Sequence, residues 1–248
     1  MAGMHFERMA AEYATSRPPY PPSVYQVLEI EGVIGPGTRI LEIGAGSGLA
    51  TRELIGSGSD VVAIEPGHDL AGMLESDVPE ATVLRGRLED VELPDGSFDS
   101  VVAATSMHWV DLSVGLPKIH AALRRDGWLA VWRHRFGDDT VSTTEFRRRV
   151  EQIVAERARR RPGEHLPDER PTMDELCAGA WFGAVRTERW RWSIELDAGQ
   201  VRRLFRTFSD WNAAEVDAVA HAAAELGGVT EHYQSVLHLL RRTPPQGA

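Results

Sequence analysis

Apolar residues come in short bursts along this chain, separated by polar turns, and two periodicities alternate. Thr38 to Ile43 is a short apolar run ending in glycines, which predicts a buried strand. Gly48 to about Ile55 reads as the helix that follows. Val61–Ile64 predicts a second buried strand, Asp69–Glu75 a second helix and Thr82–Leu84 a third strand. Phe98–Ala104 predicts a fourth, entered through the turn Pro94-Asp95-Gly96-Ser97. Val114–Leu123 is helical in pattern and Gly127–Trp132 strand-like. Apolar strands alternating with helices imply a parallel sheet covered on both faces.

The flanking segments break this rhythm. Phe6, Met9 and Tyr13 share one face of a short helix predicted from Met4 to Tyr13. Pro18, Pro19, Pro21 and Pro22 then impose an extended path. Ser23 is placed to cap a helix reaching about Gly32, with Val24, Val27 and Leu28 inward. After Phe136, Ser142-x-x-Glu145 has the form of a capping box, followed by Phe146, Val150, Ile153 and Val154 at helical spacing. Arg157–Arg161 ends that helix, and Pro162–Pro171 is a polar loop. Trp190, Trp192 and Ile194 alternate as in a strand. Ala213–Leu226 is a helix closed by Gly227-Gly228, His232–Leu240 a last strand, and Thr243–Ala248 a fraying tail.

Composition narrows the partners. With 27 Lys+Arg against 37 Asp+Glu in 248 residues the formal net charge is −10, which argues against a nucleic-acid or anionic-membrane partner. One cysteine, Cys177, allows no intrachain disulfide and no multi-cysteine zinc site. No run approaches the ~20 apolar residues of a membrane span, and the N-terminus has no signal-peptide pattern, so a cytoplasmic location is expected.

The segment richest in chemistry is Leu41-Glu42-Ile43-Gly44-Ala45-Gly46-Ser47-Gly48, at a strand-to-helix turn. Open α/β sheets bind ligands at that edge. Its spacing is G-x-G-x-G rather than the dinucleotide G-x-G-x-x-G. Glu42 would repel a pyrophosphate and favour a cationic ligand such as one carrying an ammonium group. The second strand ends at Glu65, placed to take both hydroxyls of a ribose or to cap the next helix.

These residues, with Gly96-Ser97-Phe98-Asp99, resemble the class I S-adenosylmethionine-dependent methyltransferases. The small-molecule branch that includes trans-aconitate- and ubiquinone-type enzymes is most similar. Tyr13-x-x-x-Arg17-Pro18-x-Tyr20-Pro21 and His108-Trp109 strengthen the resemblance, which covers about residues 4–135 well. It implies S-adenosyl-L-methionine as cofactor and a Rossmann-like, seven-stranded, mostly parallel sheet, closed by a C-terminal antiparallel hairpin, with helices on both faces. It implies that Gly44 and Gly46, with Ala45, Gly48 and Pro66 nearby, line the cofactor. Glu42 would orient the cofactor's amino group, and Glu65 would hold the ribose. Arg87 stands where relatives often carry an acid for the adenine amine, so the backbone of Leu88, with Glu89, is the expected adenine contact. Thr105 would lie near the sulfonium, and Tyr13 and Arg17 would form a lid.

A sulfonium is already activated, so positioning and an optional base suffice, and no metal is implied. His108, after the fourth strand, is the first candidate base or else pocket wall; His134, between Arg133 and Arg135, is the second. Phe6, Tyr20, Trp109, Trp132 and Phe136 are candidates to line an apolar pocket. Arg147–Arg149 and Arg159–Arg161 read as a solvated helix face, and Cys177 as a buried small residue. The expected organisation is one domain: a helical cap (1–34), a cofactor core (35–135), a helical lid (136–181) and closing strands and helices (182–241). Methylation of a small-molecule acceptor, favouring a hydroxyl or carboxylate oxygen, is the leading reading. A non-methylating binder of the same cofactor and a nicotinamide oxidoreductase are the alternatives.

Overall fold

The computed structural model describes residues 16–156, 170–208 and 210–244. The expected helix at Met4–Tyr13 and the arginine run at Arg157–Arg161 lie outside them. So do most of the Pro162–Pro171 loop and the end of the tail.

Seven strands form one sheet in the order β3-β2-β1-β4-β5-β7-β6. They are β1 Arg39–Ile43, β2 Asp60–Glu65, β3 Thr82–Arg85, β4 Phe98–Ala104, β5 Leu123–Phe136, β6 Phe182–Leu196 and β7 Val229–Arg242. The first five pair in parallel, and the C-terminal strands are antiparallel. The helices are α1 Pro22–Ile30, α2 Thr51–Gly56, α3 His68–Asp77, α4 Leu112–Ala122, α5 Glu145–Ala155, α6 Met173–Cys177, α7 Ala198–Arg206 and α8 Ala213–Glu225. No described helix is long and apolar enough to cross a membrane.

In-register pairing explains why the first strands are apolar throughout. Ile40 pairs with Val61 and Leu41 with Val62, so adjacent residues of one strand face opposite sides. Leu41, Ile43, Val62, Ile64, Val101 and Val131 enter one core with Leu116 and Ile119 of α4. Ile40, Val61, Val102, Ala130 and Trp132 enter a second core with Val24, Tyr25 and Leu28 of α1. Both faces are thus covered, as parallel sheets require.

The chain divides into two compact units. One comprises Pro19–His134, Glu169–Trp190 and Ser235–Ala248; the other comprises Met1–Pro18, Arg135–Asp168 and Arg191–Gln234. The second has its own core, where Phe146 and Val150 of α5 meet Val201, Leu204 and Phe205 of α7 and Val216 and Val219 of α8. Residues 136–181 are divided between the two units at Asp168/Glu169.

Several local expectations need correction. Helix α1 has no side-chain cap from Ser23; Pro22 stands in its first turn, where the missing N–H is no loss. Thr144 caps α5 by accepting from the Arg147 amide, not Ser142, because the helix begins at Glu145. Helix α7 escaped the periodicity reading. Its signals are a box in which Asp197 and Gln200 cap each other's amides, and the Val201, Leu204, Phe205 spacing. β6 and β7 are neighbours in the sheet, but α7 and α8 lie between them in sequence.

Candidate functional site

The glycine loop leaves β1 at the C-terminal edge of the sheet. The Gly44 and Ala45 amides donate to the Ile64 carbonyl at 2.8 and 3.1 Å, which ties the loop to the end of β2. Gly44 has φ +66°, and a Cβ there would fall 2.6 Å from the Ser106 Cβ, so both backbone and space require glycine. At Gly46, also left-handed at φ +60°, a Cβ would meet nothing within 4 Å. One glycine packs against protein, and the other meets no neighbour among the described residues, which leaves its main chain open to a ligand.

Two buried carboxylates flank this loop. Glu65 is 6% exposed; its Oε2 accepts from the Gly46 amide and its Oε1 from the Gly67 amide, both at 2.8 Å. It therefore braces the loop and the residue that precedes α3, and a carboxylate bonded this way keeps lone pairs for further donors. Glu42 is 1% exposed and receives the Thr51 hydroxyl at 2.7 Å. Among the described residues it has no cationic partner. Burial pushes its carboxyl up to about 7, helped by the Glu65 charge and opposed by the Thr51 bond. A buried acid without a counter-charge, beside an open glycine face, fits an ammonium-bearing ligand.

The turn after β3 places the expected adenine contacts. Leu88 is buried in the core, and the Glu89 carboxylate accepts from the Asp111 amide at 2.9 Å and from Arg87 at 3.2 Å. Glu89 thus fastens this turn to the start of α4, and Lys118 donates to its carbonyl at 2.9 Å.

The ends of β4 and β5 hold the remaining polar groups. Thr105 has φ +56°, a left-handed conformation that a β-branched residue rarely adopts. Its amide donates to the Trp132 carbonyl at 2.7 Å, and its Oγ1 accepts from the Tyr20 hydroxyl at 2.8 Å. The His134 ring lies 4.4 Å from the Tyr20 ring, and its Nδ1 is 2.9 Å from the Ser235 hydroxyl. His108 sits in a short 3-10 turn, Met107–Trp109, tilted on the Trp109 ring at 4.7 Å. Burial, and then the Arg133 charge, push the His108 ring down to about 4. Of the expected pocket aromatics, Trp132 is wholly buried in the core and Trp109 is 58% exposed.

Residues 41–131 match the family described as "Methyltransferase domain". That segment, which runs from β1 into β5 and carries the glycine loop, Glu42 and Glu65, is thus similar to a methyltransferase domain. An uncharacterized methyltransferase of Mycobacterium tuberculosis is 34% identical over 133 residues, 53% of each chain. The chain thus spans about half the length of that relative. An uncharacterized methyltransferase of Schizosaccharomyces pombe is 28% identical over 228 residues, 91% of this chain and 87% of its own. A geranyl diphosphate methyltransferase solved in complex with SAM shares the fold, with TM-score 0.51 at 13% identity over 90% of this chain and 85% of that one.

The matched segment lies within the first unit, and the remaining expectations fall in the second. Tyr13 lies outside the described residues. Arg17 belongs to the second unit, its guanidinium 4.8 Å from the centre of the Phe208 ring. Phe136 is in that unit too, under the Arg147 guanidinium at 3.3 Å. Arg147 is not on a solvated face. It makes a two-pronged ion pair with the fully buried Glu231, Nε to Oε1 at 3.1 Å and Nη2 to Oε2. Its neighbours Arg148 and Arg149 do form surface pairs, with Glu145 and Glu225. No sequence motif marked Glu231, which is one of several polar residues in the first half of β7.

Proposed function

We propose that the chain transfers the methyl group of S-adenosylmethionine to a hydroxyl or carboxylate oxygen of a small molecule. The observation that carries this reading is Glu42, buried in the strand that leads into the glycine loop and without a cationic partner among the described residues. When bound, the cofactor supplies a methyl group on a positive sulfur, which departs as a neutral thioether once the acceptor oxygen takes the methyl. Glu42 neutralises the cofactor's ammonium group. Gly44, Ala45, Gly46 and Gly48 give it a main-chain bed, and Glu65, held by the Gly46 and Gly67 amides, receives the ribose hydroxyls. The Leu88–Glu89 turn, fixed to Asp111, forms the adenine end beside Pro66.

For a hydroxyl acceptor a base must remove one proton. His134 is the better placed of the two histidines, since Ser235 fixes its ring and Tyr20 covers it. His108, held far below neutral, has too little proton affinity for the task near pH 7 and serves as wall. The test is transfer of isotope-labelled methyl from S-adenosylmethionine into a small-metabolite extract, read by mass spectrometry. Label in a small molecule supports the reading and gives the acceptor class. Label only in macromolecules, or none despite tight cofactor binding, overturns it.

A further inference from the structure

Tyr20 meets the ends of β4 and β5, far from it in sequence, and touches three residues there. Tyr20 donates its hydroxyl to Thr105 Oγ1 at 2.8 Å and lays its ring against His134 at 4.4 Å. A third contact, edge-on to the buried Trp132 at 5.9 Å, anchors the ring to the core. The backbone around Tyr20 is stiff. Pro18 and Pro19 precede it, and Pro21 and Pro22 lead straight into α1. The phenol is therefore aimed with few conformations to lose.

Thr105 and His134 are both held in defined geometry. Thr105 is in a left-handed conformation, with its amide tied to the Trp132 carbonyl. Strain of this kind persists only where the surroundings over-determine it, and it clusters at sites of chemistry. A threonine hydroxyl that accepts from tyrosine turns its own proton toward another acceptor. His134 is fixed on its other side by the Ser235 hydroxyl at 2.9 Å. Packing alone explains an aromatic ring at position 20. It does not explain a phenol hydroxyl directed at a strained threonine.

We propose that Tyr20 is a positioning residue for methyl transfer: its ring sets the plane of His134, and its hydroxyl turns the Thr105 proton toward the oxygen that receives the methyl. This rests on the methyltransferase reading above. The step it serves is balanced: the sulfur–carbon bond breaks with its electron pair left on sulfur, the oxygen–carbon bond forms, and a hydroxyl acceptor's proton passes to His134.

The test compares wild type, Tyr20→Phe, Thr105→Val and the double variant. Phenylalanine keeps the ring on His134 and Trp132 and removes only the hydroxyl. Each protein is assayed for binding of S-adenosylmethionine by calorimetry, for thermal midpoint, and for labelled methyl transfer into the metabolite extract. The expected result is cofactor affinity within about twofold of wild type and an unchanged thermal midpoint. Turnover should fall at least ~10-fold in each single variant, and no further in the double one, as for groups acting as one unit. Full turnover in Tyr20→Phe overturns the proposal while leaving the methyltransferase reading intact. So does a loss seen equally in affinity or midpoint, or losses that multiply in the double variant. A wild-type protein that transfers no methyl overturns both.

Discussion

Two buried glutamates in this chain meet the same physical problem with different answers. Glu231, in β7, is fully buried and faces the Arg147 guanidinium through two bonds. Glu42, in β1, is equally buried, and its one hydrogen-bond partner among the described residues is the Thr51 hydroxyl. Desolvation pushes both carboxyls up to about 7; at Glu231 the Arg147 charge and hydrogen bonds oppose the rise, whereas at Glu42 the Thr51 bond opposes it and the Glu65 charge adds to it. An acid with a built-in cation is part of the framework. An acid left without one is a place where a positive ligand completes the electrostatics. Burial alone would have ranked the two alike; the missing partner separates them.

That contrast can be broken experimentally, and the framework pair should give the largest effect. Arg147→Met leaves Glu231 buried and unpaired, and should destabilise the protein by about 3–5 kcal/mol in denaturant unfolding. Adding Glu231→Leu should recover most of the loss, because a neutral apolar pair has no charge to desolvate. A single variant as stable as wild type would mean that water reaches Glu231.

Glu65→Ala comes next. It removes a charged acceptor from the Gly46 and Gly67 amides along with the proposed ribose contact. At roughly 1.5–3 kcal/mol for hydrogen bonds to a charged group, cofactor affinity should fall on the order of 10- to 100-fold by calorimetry. Unchanged affinity would remove the ribose assignment.

Glu42→Gln should act more weakly and with the opposite sign on stability. The folded apoprotein holds a proton on Glu42 up to about pH 7, while an unfolded chain releases it near 4.5, the ordinary value for a glutamate. This group therefore contributes a loss of stability as pH rises from 4.5 to 7, constant above. Glutamine abolishes that loss, so at pH 8 the variant should melt no lower than wild type. Its cofactor affinity should nevertheless fall roughly 10-fold, about one unit of differential charge interaction. In wild type the affinity should strengthen as pH rises through 7, because the ionised acid is the form that binds an ammonium. A flat wild-type pH profile between 6 and 8 would detach Glu42 from the ligand.

The smallest effect is expected at His108, already neutral at working pH. His108→Gln should change turnover by less than about threefold, and a larger loss confined to turnover would restore it as a base.

Much of the cofactor half was legible because its signals are local. β4 appears at the expected Phe98–Ala104, and β1 and β2 within a residue or two, since apolar runs between glycine and proline turns leave little choice. Glu42 and Glu65 follow from their places at strand ends. Thr105, Tyr20 and His134 were named singly, but their meeting was not readable, because contacts across 85 residues leave no periodic trace. Arg147 was misread as solvated because it sits in an arginine triplet whose other two members are on the surface. Helix α7 was missed for a similar reason: arginines at 202, 203 and 206 mask its apolar stripe.

The distances along the chain that separate the members of the transfer end bear on how the protein is born. The proposed cofactor bed closes within residues 42–67, a short loop that a growing chain can form early. The His134–Ser235 contact spans 101 positions and waits for β7, the last of the sheet's seven strands to be synthesised. A nascent chain therefore acquires its grip on a ligand before it acquires the means to use it.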